Sequence, residues 1–98
     1  MKFDRLFSGN SLVYDEDTIW HIAKHRIDLS EVHKVLAGYF TIQRRIVKGV
    51  LRYLVLGESY GRILVLVLEP VGGDEMLLIT AYDAPESRKR LYREMVKR

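Results

Sequence analysis

Cysteine is absent from the 98 residues, so neither a disulfide framework nor a thiolate metal site is available. The longest apolar run is far too short to span a bilayer, and Met1 to Asp17 holds no apolar stretch of the signal-peptide kind. A soluble cytoplasmic protein with no membrane role is therefore expected. No Ser-His-Asp order, no phosphate-cradling glycine loop and no paired-carboxylate site stands out. Internal repeats, linkers and low-complexity segments are missing too, which leaves one domain. A chain of this length buries roughly two-thirds of its unfolded surface, enough for one modest core.

What is present is organised around Val50 to Tyr82. Val50–Leu56, Ile63–Leu68 and Met76–Tyr82 each have the length and the aliphatic and aromatic content of a strand. Gly57 and Gly61 are expected in the first connecting turn, and Pro70, Gly72, Gly73 and Asp74 in the second. Connections this short predict antiparallel neighbours. The middle run is apolar throughout, as suits a central strand covered on both faces. In the first run Leu51, Tyr53 and Val55 share one face, and Val50, Arg52, Leu54 and Leu56 the other. Arg52 is thus a charge among apolar neighbours. It lies at an edge of the covered area, on an open sheet face, or in an ion pair.

Upstream, Ser11–Tyr14 reads as a short strand after a Gly9-Asn10 turn signal. Asp15 to Thr18 reads as a helix start, with the helix running to about Arg26. Ile19, Ile22 and Ala23 form its buried stripe, and Trp20 is expected to anchor it. Asp28-Leu-Ser-Glu31 has the form of a capping box. It opens a second helix with Leu29, Val32, Val35 and Leu36 inward and Gly38 as its left-handed stop. Tyr39–Val47 fits an edge strand with Thr41, Gln43 and Arg45 on one face and Phe40, Ile42, Arg44 and Ile46 on the other. Asp83 and Pro85 are placed to start a last helix, docked by Leu91, Tyr92 and Met95. The order β-α-α-β-β-β-β-α predicts an α+β fold. Its core is a small antiparallel sheet of four to five strands, with an N-terminal helical hairpin and a C-terminal helix.

Charge is unevenly placed. Residues 1–41 hold five Lys/Arg and six Asp/Glu, whereas residues 42–98 hold eleven and seven. The excess is densest in Arg88-Lys89-Arg90, Arg93, Lys97 and Arg98, a footprint that fits either an anionic partner or a solvated helix face. Arg26, Arg44, Arg88 and Arg90 are the candidate nucleic-acid contacts. His21 and His25, one helical turn apart, share a face with Lys24 beside them. Without a third ligand they make a polar surface pair rather than a metal site, or one imidazole serves in proton transfer. His33 falls at the margin of the second helix's buried stripe. Arg52 and Arg62, on neighbouring strands, would form a phosphate clamp if the hairpin brought them together. The alternative is ion pairing with Glu58 or Glu69. Tyr82, ending the last strand, suits stacking on a base, a hydrogen bond to phosphate, or core packing with its hydroxyl at the rim.

Three stretches resemble the BrnT-type toxins of type II toxin–antitoxin systems, within the RelE/ParE-like superfamily. His21-Ile-Ala-Lys-His-Arg-Ile27 with Ser30-Glu-Val-His-Lys-Val-Leu36 is similar to that family's opening motif. Arg52-Tyr-Leu-Val-Leu-Gly57 with Gly61-Arg62 resembles its central hairpin. Ile79-Thr-Ala-Tyr-Asp-Ala84 with Arg88, Arg90, Leu91 and Tyr92 resembles its closing segment. The resemblance spans roughly residues 16–93. It implies a compact toxin fold, RNA as substrate, cleavage by 2′-hydroxyl attack on the adjacent phosphate without a metal or other cofactor, and a cognate antitoxin protein as partner. It also leaves room for a homo-oligomer. Its working residues fall on Lys24, His25, Arg52 and Arg62, with Tyr82 where the family usually has Arg. Arg26 replaces the usual Gly, and Ser87 the usual Glu, with Glu86 one position earlier. The loss of a cation at Tyr82 keeps two other readings open: a non-catalytic nucleic-acid- or protein-binding module, and a ParE-like toxin acting on DNA topology.

Overall fold

The computed structural model describes residues 11–97; the Gly9-Asn10 turn signal and Arg98 lie outside them. The element order is the one the sequence predicts: β1 (Ser11–Val13), α1 (Glu16–Ala23), α2 (Leu29–Ala37), β2 (Phe40–Val47), β3 (Val50–Ser59), β4 (Arg62–Gly72), β5 (Glu75–Asp83) and α3 (Glu86–Val96). The five strands form one sheet in the order β1-β5-β4-β3-β2. β2 to β5 make the expected antiparallel meander, with β2 at one edge. β1 joins the other edge parallel to β5, so the sheet is mixed rather than wholly antiparallel.

The central strand accounts for the layering. Leu64, Leu66 and Leu68 of β4 join Ile22, Ile27, Val32 and Val35 in one core, beneath α1 and α2. Ile63, Val65 and Val67 of the same strand join Leu56, Ala84 and Tyr92 in a second core, beneath α3. An unbroken apolar strand can satisfy both faces only when each is covered, and here each is. Asp15 and Asp28 cap the two N-terminal helices, and Asp28 and Glu31 complete the capping box. The Asp28 carboxyl sits below the usual carboxylate range because the Ser30 hydroxyl, and then the Glu31 amide, donate to it.

Several local expectations change. Trp20 is 73% exposed, so Ile22 rather than Trp20 anchors α1. His33 is exposed, not at a buried margin. Gly38 ends α2 in an extended, not left-handed, conformation. Leu91 is half-exposed, and Tyr92 docks α3, its hydroxyl donating to the Tyr39 carbonyl at 3.0 Å. Asp83 does not cap α3; Pro85 occupies that position without a side-chain bond. Pro70 lies inside β4 at a register irregularity, where the ladder tolerates a missing donor.

The hairpin turns are tighter than the glycine positions suggest. Those of β2–β3 and β3–β4 are Lys48-Gly49 and Tyr60-Gly61, each with two positive φ angles, the mirror-image turn whose twist matches the strands. Gly57 is therefore a strand residue, not a turn residue. A Cβ there would lie 2.7 Å from Val35 Cγ1 and 3.3 Å from Phe40 Cβ. The missing side chain is what lets α2 settle on β3.

Gly57→Ala is expected to destabilise the fold by about 1–3 kcal/mol through overpacking. In urea denaturation, a double-mutant cycle with Val35→Ala should show a favourable coupling, because the second change removes the clashing methyl.

Candidate functional site

The five residues singled out for chemistry fall in two places. The register sets Ser59 opposite Arg62 and Tyr53 opposite Leu68, so Arg52 and Arg62 lie at opposite ends of the β3–β4 hairpin. Strand rise separates them by on the order of 20 Å. They do not form the single clamp expected of the hairpin, because the antiparallel register sets Arg62 beside the turn, opposite Ser59, and leaves Arg52 at the far end.

Arg62 is bound on every side. Its Nη1 donates to the Arg26 carbonyl at 2.7 Å and to Glu31 Oε2 at 3.0 Å. Its Nη2 donates to the His25 carbonyl and to both oxygens of Asp83, and its Nε also reaches Asp83. One guanidinium thus ties the end of α1, the start of α2 and the end of β5 to the start of β4. The Asp83 hydrogen bond is the main cause of its raised pKa, opposed by burial and aided by the charges of Asp83 and Glu31. The carboxylate predicted to cap α3 is therefore engaged by this arginine instead.

Lys24, His25 and Arg26 continue past α1 as an exposed turn. The His21 and His25 rings meet edge to face, with centroids 5.7 Å apart. Among the described residues, no group of three His, Cys, Asp or Glu side chains is placed to hold a metal ion. Arg26 has φ 60°, a left-handed conformation that disfavours a Cβ. The conformation explains why glycine suits this position.

Arg52 has a different environment. It lies on the α3 side of the sheet, and its Nε donates to Glu69 Oε1 at 3.2 Å. Glu69 is one of the two carboxylates expected as its partner. The two terminal nitrogens of Arg52 and the second oxygen of Glu69 make no hydrogen bond to a described residue. Arg45 lies directly opposite Arg52 on β2. It is exposed and has no carboxylate within ion-pair distance among the described residues. Gln43, on the same face of β2, accepts from Arg88 of α3 at 3.2 Å. Tyr82, opposite Val65, packs half-buried against the α3-side core. Arg45, Arg52, Arg88, Glu69 and Tyr82 thus share one sheet face, which α3 covers only in part.

The candidate nucleic-acid contacts divide as well. Arg88 belongs to this face. Arg44 shares the opposite face with Tyr53, Arg26 lies at the Arg62 end, and Arg90 is exposed on α3. Arg45 was not singled out from the sequence. The signal was available: a two-residue turn at Lys48-Gly49 forces 45 opposite 52.

No protein-family model matches the chain, and no curated protein matches it. A match does come from a solved structure, the crystal structure of the ribonuclease toxin BrnT of Brucella abortus. The TM-score is 0.57 at 23% sequence identity, over 79% of this chain and 99% of that one. This chain has the BrnT-type toxin fold. Nearly the whole of the BrnT chain is matched, so the likeness concerns the complete architecture rather than a shared hairpin. Among the described residues, no helix is long and apolar enough to cross a membrane.

Three stability outcomes follow from the Arg62 cluster and the turn it holds. Arg62→Ala should lower the urea midpoint far more than Arg52→Ala, by on the order of 2 kcal/mol, since it leaves two carboxylates and two carbonyls unmatched. Arg62→Lys should recover little of it, because an ammonium lacks the planar fork. Arg26→Gly should raise stability by about 0.5–1 kcal/mol, the left-handed penalty less the entropy of glycine, read as an increase in Tm.

Proposed function

We propose that this protein is a toxin-type ribonuclease that cleaves RNA by attack of a ribose 2′-hydroxyl on the adjacent phosphate. The observation that carries the reading is the arginine-rich, partly open sheet face on a fold shared with a ribonuclease toxin. A phosphodiester in transition gains negative charge on its oxygens, and fixed guanidinium donors stabilise that charge. Arg52 is the leading donor because its terminal nitrogens are free, whereas those of Arg62 are engaged within the protein. Arg88 supplies a second cation from α3, and Tyr82 offers a ring on which a base stacks.

Lys24 and His25 are proposed to guide the RNA backbone at the other end of the molecule, together with Arg26. Arg62 serves that region by holding its backbone in place. Within this reading the protein acts in the cytoplasm, needs no cofactor, and is restrained by an antitoxin protein that covers the active face.

The reaction joins O2′ to phosphorus and breaks the bond from phosphorus to O5′. It leaves a 2′,3′-cyclic phosphate and a 5′-hydroxyl; the 2′-hydroxyl gives up its proton to a base as it attacks, and the leaving oxygen takes one from water. Incubation of the purified protein with total RNA in excess chelator tests this, beside an Arg52→Ala variant of matched Tm. Cleavage by the parent, with a loss of about 10²–10³-fold in the variant, is expected. Salt-sensitive RNA binding without product would instead identify a binding module on the same fold. Equal cleavage by both proteins would remove Arg52 from the site.

A further inference from the structure

A general base is missing from the set of residues that the sequence and the resemblance single out on this face. The row across the sheet supplies one. The register sets Arg45 of β2 opposite Arg52 of β3 and Glu69 of β4 opposite apolar Leu77 of β5, and the Arg52–Glu69 ion pair joins the two halves of the row. Facing arginines repel, and the partly buried Arg52–Glu69 pair is joined by a single hydrogen bond rather than a bidentate fork. The row is therefore a poor structural device. As an anion site it is coherent: two guanidinium groups and one carboxylate, with the carboxylate half-buried and held by a single contact.

We infer that Glu69 is the general base of this face, taking the 2′-hydroxyl proton while Arg52 and Arg45 hold the phosphate. The inference rests on the ribonuclease reading above. Arg52 Nε orients one Glu69 oxygen at 3.2 Å, which leaves the other oxygen free to accept and the Arg52 terminal nitrogens free to donate. The proton passes from O2′ to the free carboxylate oxygen as the bond from O2′ to phosphorus forms. When the bond to O5′ breaks, the leaving oxygen takes a proton from water, and Glu69 returns its own to water. Tyr82 is two rows away, opposite Val65, where it meets a neighbouring base rather than the reacting phosphate. Among the described residues, Arg52 is the charged group in contact with Glu69; Arg45 lies one strand beyond it, Glu75 shares the face of Leu77 two residues along β5, and Arg88 reaches the next row through Gln43.

The test is steady-state cleavage of a mixed-sequence oligoribonucleotide by the parent, Glu69→Gln and Glu69→Asp, across pH 4 to 9 with matched Tm. Glutamine keeps the oxygen that accepts from Arg52 but cannot take a proton. The expected result is a fall in kcat of about 10²–10⁴-fold with little change in KM, and loss of the acidic limb of the rate profile. Glu69→Asp should retain that limb and part of the rate. Parental kcat and an unchanged pH profile in Glu69→Gln would overturn the inference while leaving the ribonuclease reading intact. A raised KM at unchanged kcat would also overturn it, reducing Glu69 to a positioning residue for Arg52. A parent that cleaves nothing overturns the ribonuclease reading and this inference with it.

Discussion

β4 is apolar on both faces, and the layered architecture depends on that constraint. Its even residues require one apolar cover and its odd residues another. The helical hairpin of α1 and α2 supplies the first, and α3 the second. The two covers are unequal. The α1–α2 side is anchored by Ile22, Val32 and Val35, all fully buried, whereas α3 contributes Tyr92 and leaves Leu91 half-exposed. A short basic helix over a broad sheet covers only part of it. The uncovered remainder is where Arg45, Arg52, Glu69 and Tyr82 meet solvent.

The two hairpin arginines show how similar residues acquire different roles. Arg62 begins β4 beside the break between α1 and α2, where backbone carbonyls lack helical partners. Its planar fork satisfies two of them and neutralises Glu31 and Asp83 at once. Arg52 sits mid-sheet, where neighbouring backbone groups are already used in the ladder. It has one side-chain partner and spare donors. A guanidinium fully engaged inside the protein is a fastening, and one with free donors on an open face suits an anionic ligand.

Much of the fold was legible because local signals agreed with the global arrangement. The capping box at Asp28, the alternation in β3 and the continuous apolar run in β4 each predicted what the structure shows. Turn positions were less legible. Gly57 resembles a turn signal, yet it is a packing requirement, visible only once α2 is set against β3. Trp20 shows the converse: a large apolar side chain reads as an anchor, but helix rotation is set by Ile22 and turns the indole outward.

The sequence by itself determined the element order, the central place of β4 and the face that each β2 and β3 residue occupies. These follow from periodicity and chain connectivity, which are local. Only the tertiary structure decided that Arg52 and Arg62 lie far apart, that Asp83 serves Arg62 rather than α3, and that Arg45, Arg52 and Glu69 form one row. Those relations depend on strand length and inter-strand register. A one-residue shift in either would send the same side chains to the opposite face.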